Sequence, residues 1–238
     1  SLAEWDKLAS KIEKWRKIPM RHNRVLGIKL FLDGALGSEG AYINCNYQSK
    51  NDKDPNRQGY LLIEPKVLSQ LIEVSWQRGL EVAIHSIGDK ASEVILDCVE
   101  KLAIRNKTGK LHIEHVEVLQ EKTIQQMKLF DIICHMQPCH YLSDQKWLKE
   151  KLGSHFSNVF RWSDLEKHQI PFFWGSDSPI EKPSVHNNWQ GYSQATSSLI
   201  KPLCNNFFLH HSHPDPNWGA GAYTEFDDQF QTPKIYLP

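Results

Sequence analysis

The sequence predicts an α/β fold built on a parallel sheet, and three observations lead there. Short apolar segments alternate with amphipathic helical periods along most of the 238 residues. Each apolar segment is hydrophobic on both faces, as strands covered on two sides are. The step from one strand to the next is near thirty residues where no insertion intervenes, as from His85 to His115.

The elements follow in order. Leu2, Trp5, Leu8, Ile12 and Trp15 recur at three- to four-residue steps and predict an amphipathic first helix. Val25 to Leu32 reads as a strand closed by Asp33-Gly34. A polar stretch from Ala35 to Gly59, rich in Gly and Asn, reads as a long loop, a length that usually carries function. Pro65 opens a helix to about Arg78, and Gly79 closes it. "LEVAIHSI" is the next strand. Asp89 is placed to cap a helix from Lys90 to about Ala103. "KLHIEHV" is a strand, Gln120 to about Leu129 a helix and "DIICHMQP" a strand. Asn158 to about His168 reads as helical, "IPFFWGSD" as a strand, and Trp189 to about Ile200 as a last helix. Residues 1–200 form one barrel-like or open-sheet domain on this reading. Residues 201–238, with prolines, glycines and aromatics but no helical period, form an irregular or short β tail.

Composition narrows the function classes. Lys plus Arg equals Asp plus Glu at 28 each, so no basic footprint marks a nucleic-acid partner. No apolar run approaches the roughly 18 residues of a membrane span. The five cysteines are scattered, and the absence of a disulfide framework suits a reducing, cytoplasmic setting. No G-x-G-x-x-G follows a strand, so a dinucleotide site has no support.

Four strands carry a metal-ligand type at or near their ends: Lys29 in "GIKLFLDG", His85 in "VAIHSIGD", His115 in "HIEH" and Asp177 in "WGSDSP". In a parallel α/β fold these ends share one face, where sites are built. A lone strand-end histidine or aspartate usually serves hydrogen bonding or a turn, and a lone lysine usually snorkels. The four together make the ligand set of a hydrolytic metal site: two imidazoles, a carboxylate and a lysine open to carbamylation. Gln137, His140 and Trp147 follow a strand end and are candidate pocket residues, with ordinary loop packing the rival role for Trp147.

The motifs "KLFLDGALGS", "AIHSIGD", "HIEH", "MQPCHYLSD" and "GSDSPIE" resemble the amidohydrolase superfamily, most of all its N-substituted formamide deformylase-like (YtcJ-like) branch. The resemblance runs from about Val25 to Gln194 in the family's order. It implies a partial TIM-type (β/α)8 barrel, corresponding to strands four to eight with their helices. It further implies that carboxylated Lys29, His85 and His115 are metal ligands, and that Asp177 ligates metal and moves protons. The expected cofactor is a divalent metal, zinc first, one or two ions; iron, manganese and nickel suit the same ligands.

The expected activity is metal-dependent hydrolysis of a C–N bond in an amide or formamide, on a small-molecule substrate. The rivals are a phosphoester or lactone hydrolase, a non-catalytic binding or regulatory relative, and an interaction protein built on its tryptophans. The family's His-x-His pair has no counterpart before Val25, which makes an N-terminal segment or a second copy an expected partner. Glu39, in "GSEGA" where relatives often carry arginine, is an expected substrate contact with Gln137 and His140.

Overall fold

The computed structural model describes residues 2–18, 25–48, 57–197, 223–226 and 233–236. The element order is α1 (Leu2–Arg16), β1 (Gly27–Phe31), α2 (Pro65–Gln77), β2 (Glu81–Ser86), α3 (Asp89–Ile104), β3 (Leu111–His115), α4 (Glu121–Leu129), β4 (Ile133–Met136), α5 (Pro138–Leu152), a 3-10 turn (Gly153–Asn158), α6 (Trp162–Lys167), β5 (Phe172–Trp174), α7 (Val185–Thr196), β6 (Tyr223–Phe226) and β7 (Pro233–Tyr236). The βα alternation is the predicted one, and β1 to β5 lie side by side in chain order in one sheet. Such order, with a helix in most crossovers, is the parallel arrangement of a partial (β/α) barrel.

Two compact units divide the chain. One comprises Ser1–Met136 and Gln145–Phe172; the other comprises Gln137–Asp144 and Phe173–Pro238. In the first, period-two alternation sorts the strand residues by face. Ile28, Val82, Ile84, Leu111, Ile113, Cys134 and Met136 are buried. Ile72 of α2, Leu96 and Leu102 of α3, and Ile124 and Met127 of α4 are buried with them. The opposite face carries Lys29, Phe31, Ala83, His85, His112, Glu114 and His135. The register puts Lys29, Ala83, His112 and Ile133 in one row, and Phe31, His85, Glu114 and His135 in the next.

Several sequence readings change. Asp89 is the first residue of α3 and Gly88, which has no side chain to cap with, stands at the cap position; Asp89 Oδ1 accepts the Lys90 N–H at 3.0 Å. The helix expected from Asn158 to His168 is a 3-10 turn followed by the shorter α6. The last helix starts earlier, at Val185, with Ser184 as a cap whose hydroxyl accepts the Asn187 N–H; its expected end at Ile200 lies outside the described residues. Helix α5 went unread, its polar face masking a weak apolar stripe. Gly79 closes α2 as expected, at φ +65°. In the second unit β6 and β7 pair antiparallel. The remainder of the tail, including His210, His211 and His213, lies outside the described residues.

Gly88 is required by space. A Cβ there would stand 2.0 Å from the Tyr42 carbonyl oxygen, which accepts the N–H groups of Lys90 and Ala91. Gly88→Ala is expected to lower stability by about 3 kcal/mol in denaturant titration, since backbone has to yield.

Candidate metal centre

Strand parity alone would not bring His85 and His115 together. His115 pairs in register with Ser86, the neighbour of His85, which points to the buried face. The backbone corrects this at the strand's end. His115 takes φ 79° and Val116 φ 46°. Two successive left-handed residues, one of them β-branched, cost on the order of 1–3 kcal/mol each. The bend is held by Val118 N–H donating to Ile87 O at 3.0 Å and Phe160 N–H donating to Glu117 O at 2.6 Å. Its result is an edge-on pair of imidazoles with ring centroids 4.4 Å apart.

Two buried carboxylates, both missed in the sequence, surround this pair. Asp33 is 1 % exposed. Its Oδ1 accepts the Ile87 N–H at 3.1 Å, and its Oδ2 accepts those of Gly88 at 2.8 Å and Tyr42 at 3.0 Å. His85 Nε2 stands 3.6 Å from Oδ1. Burial pushes the Asp33 carboxyl up to about 7, against the lowering pull of its three backbone donors, with Glu117 adding to the rise. Glu117 is also buried, and it and His115 offer ligand atoms within 4.8 Å of each other. The available signals were an acid closing an apolar strand in "FLDG" and one two residues past the histidine in "HVE".

Lys29 lies on the same sheet face as His85, one row lower. Its side chain is exposed and its Nζ sits 5.2 Å from the centroid of the Phe31 ring. Ala83 is its partner in register. Glu39 takes φ 58° and its carboxylate is engaged within the first unit: it pairs with Arg57, and with Lys151 Nζ at 3.2 Å. Lys151 also donates to Gly37 O at 2.7 Å. Glu39 therefore pins the loop after β1 to the end of α5.

A third cluster supports the same loop. Asp89, fully buried, accepts the Asn44 N–H at 2.9 Å and Gln120 Nε2 at 2.7 Å, and pairs with His155 Nε2 at 3.0 Å. Burial alone would raise its carboxyl. The bonds from His155, Gln120 and Asn44 outweigh that and hold it below the ordinary value.

The second unit holds the other expected residues. Gln137 and His140 are buried at the start of α5, where His140 N–H donates to Gln137 O at 2.9 Å. Between them, the Cys139 N–H donates to Asn188 Oδ1 of α7 at 3.0 Å. Asp177 follows β5, exposed and at φ 52°, and its carbonyl accepts the Ile180 N–H at 2.8 Å.

In the first unit, two imidazoles meet at the ends of adjacent strands, with Asp33 beside His85 and Glu117 beside His115. That donor set fits a divalent ion of the zinc class. Among the described residues no helix is long and apolar enough to cross a membrane.

Comparison with known proteins identifies the family. A model described as "Amidohydrolase family" matches residues 5–196. The chain is 34% identical over 155 residues to YtcJ of Bacillus subtilis (strain 168), named as an amidohydrolase, covering 65% of this chain and 28% of that protein. It is 37% identical over 158 residues to the Arabidopsis thaliana protein LONG AFTER FAR-RED 3, covering 65% of this chain and 26% of that protein. Among solved structures, an uncharacterized metal-dependent hydrolase from Pyrococcus horikoshii OT3 superposes with TM-score 0.67 at 28% identity, covering 80% of this chain and 40% of that one. Its Pyrococcus furiosus counterpart gives TM-score 0.65 at 28% identity, covering 79% and 38%. The chain thus spans about a quarter of the length of the curated relatives it matches.

Proposed function

The chain belongs to the amidohydrolase family, and on that premise we propose that it carries the strand-end half of a metal-dependent hydrolase site acting on small molecules with a scissile C–N bond, an amide or formamide. The observation that carries this reading is the His85–His115 pair, with Glu117 beside His115, on a strand end formed by two left-handed residues. Strain of that kind persists where the surrounding structure needs the geometry.

His85, His115 and Glu117 would hold the ion, with carboxylated Lys29 and Asp177 completing the set that the family resemblance assigns. Zinc, one or two ions, is the proposed metal. When bound, the ion polarises the scissile carbonyl and makes a water acidic near neutral pH. The chain's own residues do the rest. Asp33 holds the β1 end, the Ile87-Gly88 turn and Tyr42 on one carboxylate, and so fixes the ground on which His85 stands. Asp177 takes the proton of the attacking water and passes it to the departing nitrogen. Gln137 and His140 are proposed substrate contacts. Glu39, spent on Arg57 and Lys151, shapes the pocket loop more than it meets substrate. The proposed setting is the cytoplasm.

The test is chelation and restoration in the full-length protein, assayed on a panel of small amides, formamides, lactones and phosphoesters. Turnover of the C–N substrates should vanish with chelator and return with zinc. Hydrolysis confined to esters, or unaffected by chelation, would overturn the proposal.

A further inference from the structure

On the sheet face that carries His85 lies a titratable group outside the candidate metal centre. Glu81, His112 and His135 come from β2, β3 and β4 and form one hydrogen-bonded chain. His112 Nε2 is 3.0 Å from Glu81 Oε2, and His112 Nδ1 is 2.9 Å from His135 Nε2. The proton positions follow by elimination. An ionised carboxylate only accepts, so His112 Nε2 carries a hydrogen. Burial holds His112 below the ordinary imidazole value, Glu81 pulling the other way and Lys110 adding to the fall. A neutral His112 therefore has a bare Nδ1, which accepts, and His135 Nε2 donates to it.

The chain also has a direction. Glu81 starts β2 at the sheet's lower rim, with an exposed Lys110 whose Nζ is 3.4 Å away. His112 shares the row of Lys29 and Ala83. His135 stands in the row of Phe31, His85 and Glu114, with Glu114 its partner in register. The three side chains thus climb diagonally from solvent to the level of the candidate ligands.

We propose that Glu81, His112 and His135 are a proton relay joining the ligand row to solvent at the lower rim. A proton taken up at His135 Nδ1 forms one N–H bond. The His135 Nε2–H bond breaks as His112 Nδ1–H forms, the His112 Nε2–H bond breaks as Glu81 Oε2–H forms, and Glu81 releases its proton to water. One proton moves and no electron does. Return of a proton by the same path restores the starting tautomers. The relay's use rests on the hydrolase reading: each hydrolysis takes in a water whose protons must be moved. Asp177 serves the bond being cleaved; the relay serves exchange with solvent.

The test is nitrogen-15 NMR of histidine-labelled protein. Both His112 and His135 should show the Nε2–H tautomer. Glu81→Gln keeps a carbonyl acceptor for His112 but takes up no proton, so solvent exchange of the His135 ring proton should slow by about tenfold or more with tautomers unchanged. Equal exchange in the two proteins, or an Nδ1–H tautomer at His112, would overturn the relay. If Glu81→Gln does not fold, His112→Gln cuts the chain at its centre and must show the same slowing. In the active full-length protein, Glu81→Gln should lower kcat with KM and metal content unchanged, and imidazole buffer should restore the rate; a loss that buffer does not restore counts against the relay. If the wild type hydrolyses nothing, the hydrolase reading fails, while the exchange rates still decide the relay.

Discussion

His115→Ala should weaken divalent-metal binding by more than about 100-fold and abolish metal-dependent hydrolysis, because it removes a ligand itself, where loss of a ligand's supporting partner already costs 10–100-fold. The same position gives a second, independent reading. His115 sits at φ 79°, so alanine loses the ring yet keeps the strain. Glycine loses the ring and relieves it. His115→Gly should therefore be more stable than His115→Ala by about 1 kcal/mol in denaturant titration, the reverse of the usual order. Neither should bind metal. Equal stability of the two would show that the backbone at this strand end is not strained, and the strongest structural argument for the site would go with it.

The second large effect falls on stability. Asp89→Ala removes a fully buried carboxylate and strands His155, Gln120 and the Asn44 N–H. Breaking a buried ion pair by removing one partner costs on the order of 3–5 kcal/mol. Asp89→Asn keeps an acceptor and should cost less. The sign of the pH dependence follows from the lowered Asp89 carboxyl. Its contribution is fully present above the ordinary carboxylate value of 3.8 and is lost as pH falls through the lower folded value. Acid denaturation should show that loss in the wild type and less of it in Asp89→Asn. Identical acid profiles would mean that the Asp89 cluster does not hold the loop after β1.

How far the sequence carried is clearest at particular residues. The apolar strand segments, the period of α1 and the end signals of α2 were legible because each is written within its own ten or fifteen residues. The placement of His85 and His115 at neighbouring strand ends was legible because parallel strands put their ends on one face whatever the details. Their direct approach was not, since strand parity argues against it and only two left-handed residues reverse it. Asp33 and Glu117 were missed because an acid beside a turn has an ordinary role, and only burial shows that these two lack solvent. The ion pairs of Glu39 with Arg57 and Lys151 were not legible, since those partners are distant in sequence. Helix α5 was missed because its residues alternate polar and apolar types without a strong stripe.

The most direct test of the central claim is the metal content of full-length protein purified without chelator or nickel resin, wild type beside His115→Ala, by plasma mass spectrometry. A centre at these strand ends predicts about one or two divalent ions per chain in the wild type, zinc foremost, and their loss in the variant. Equal metal in both proteins would place any bound ion elsewhere and contradict the account.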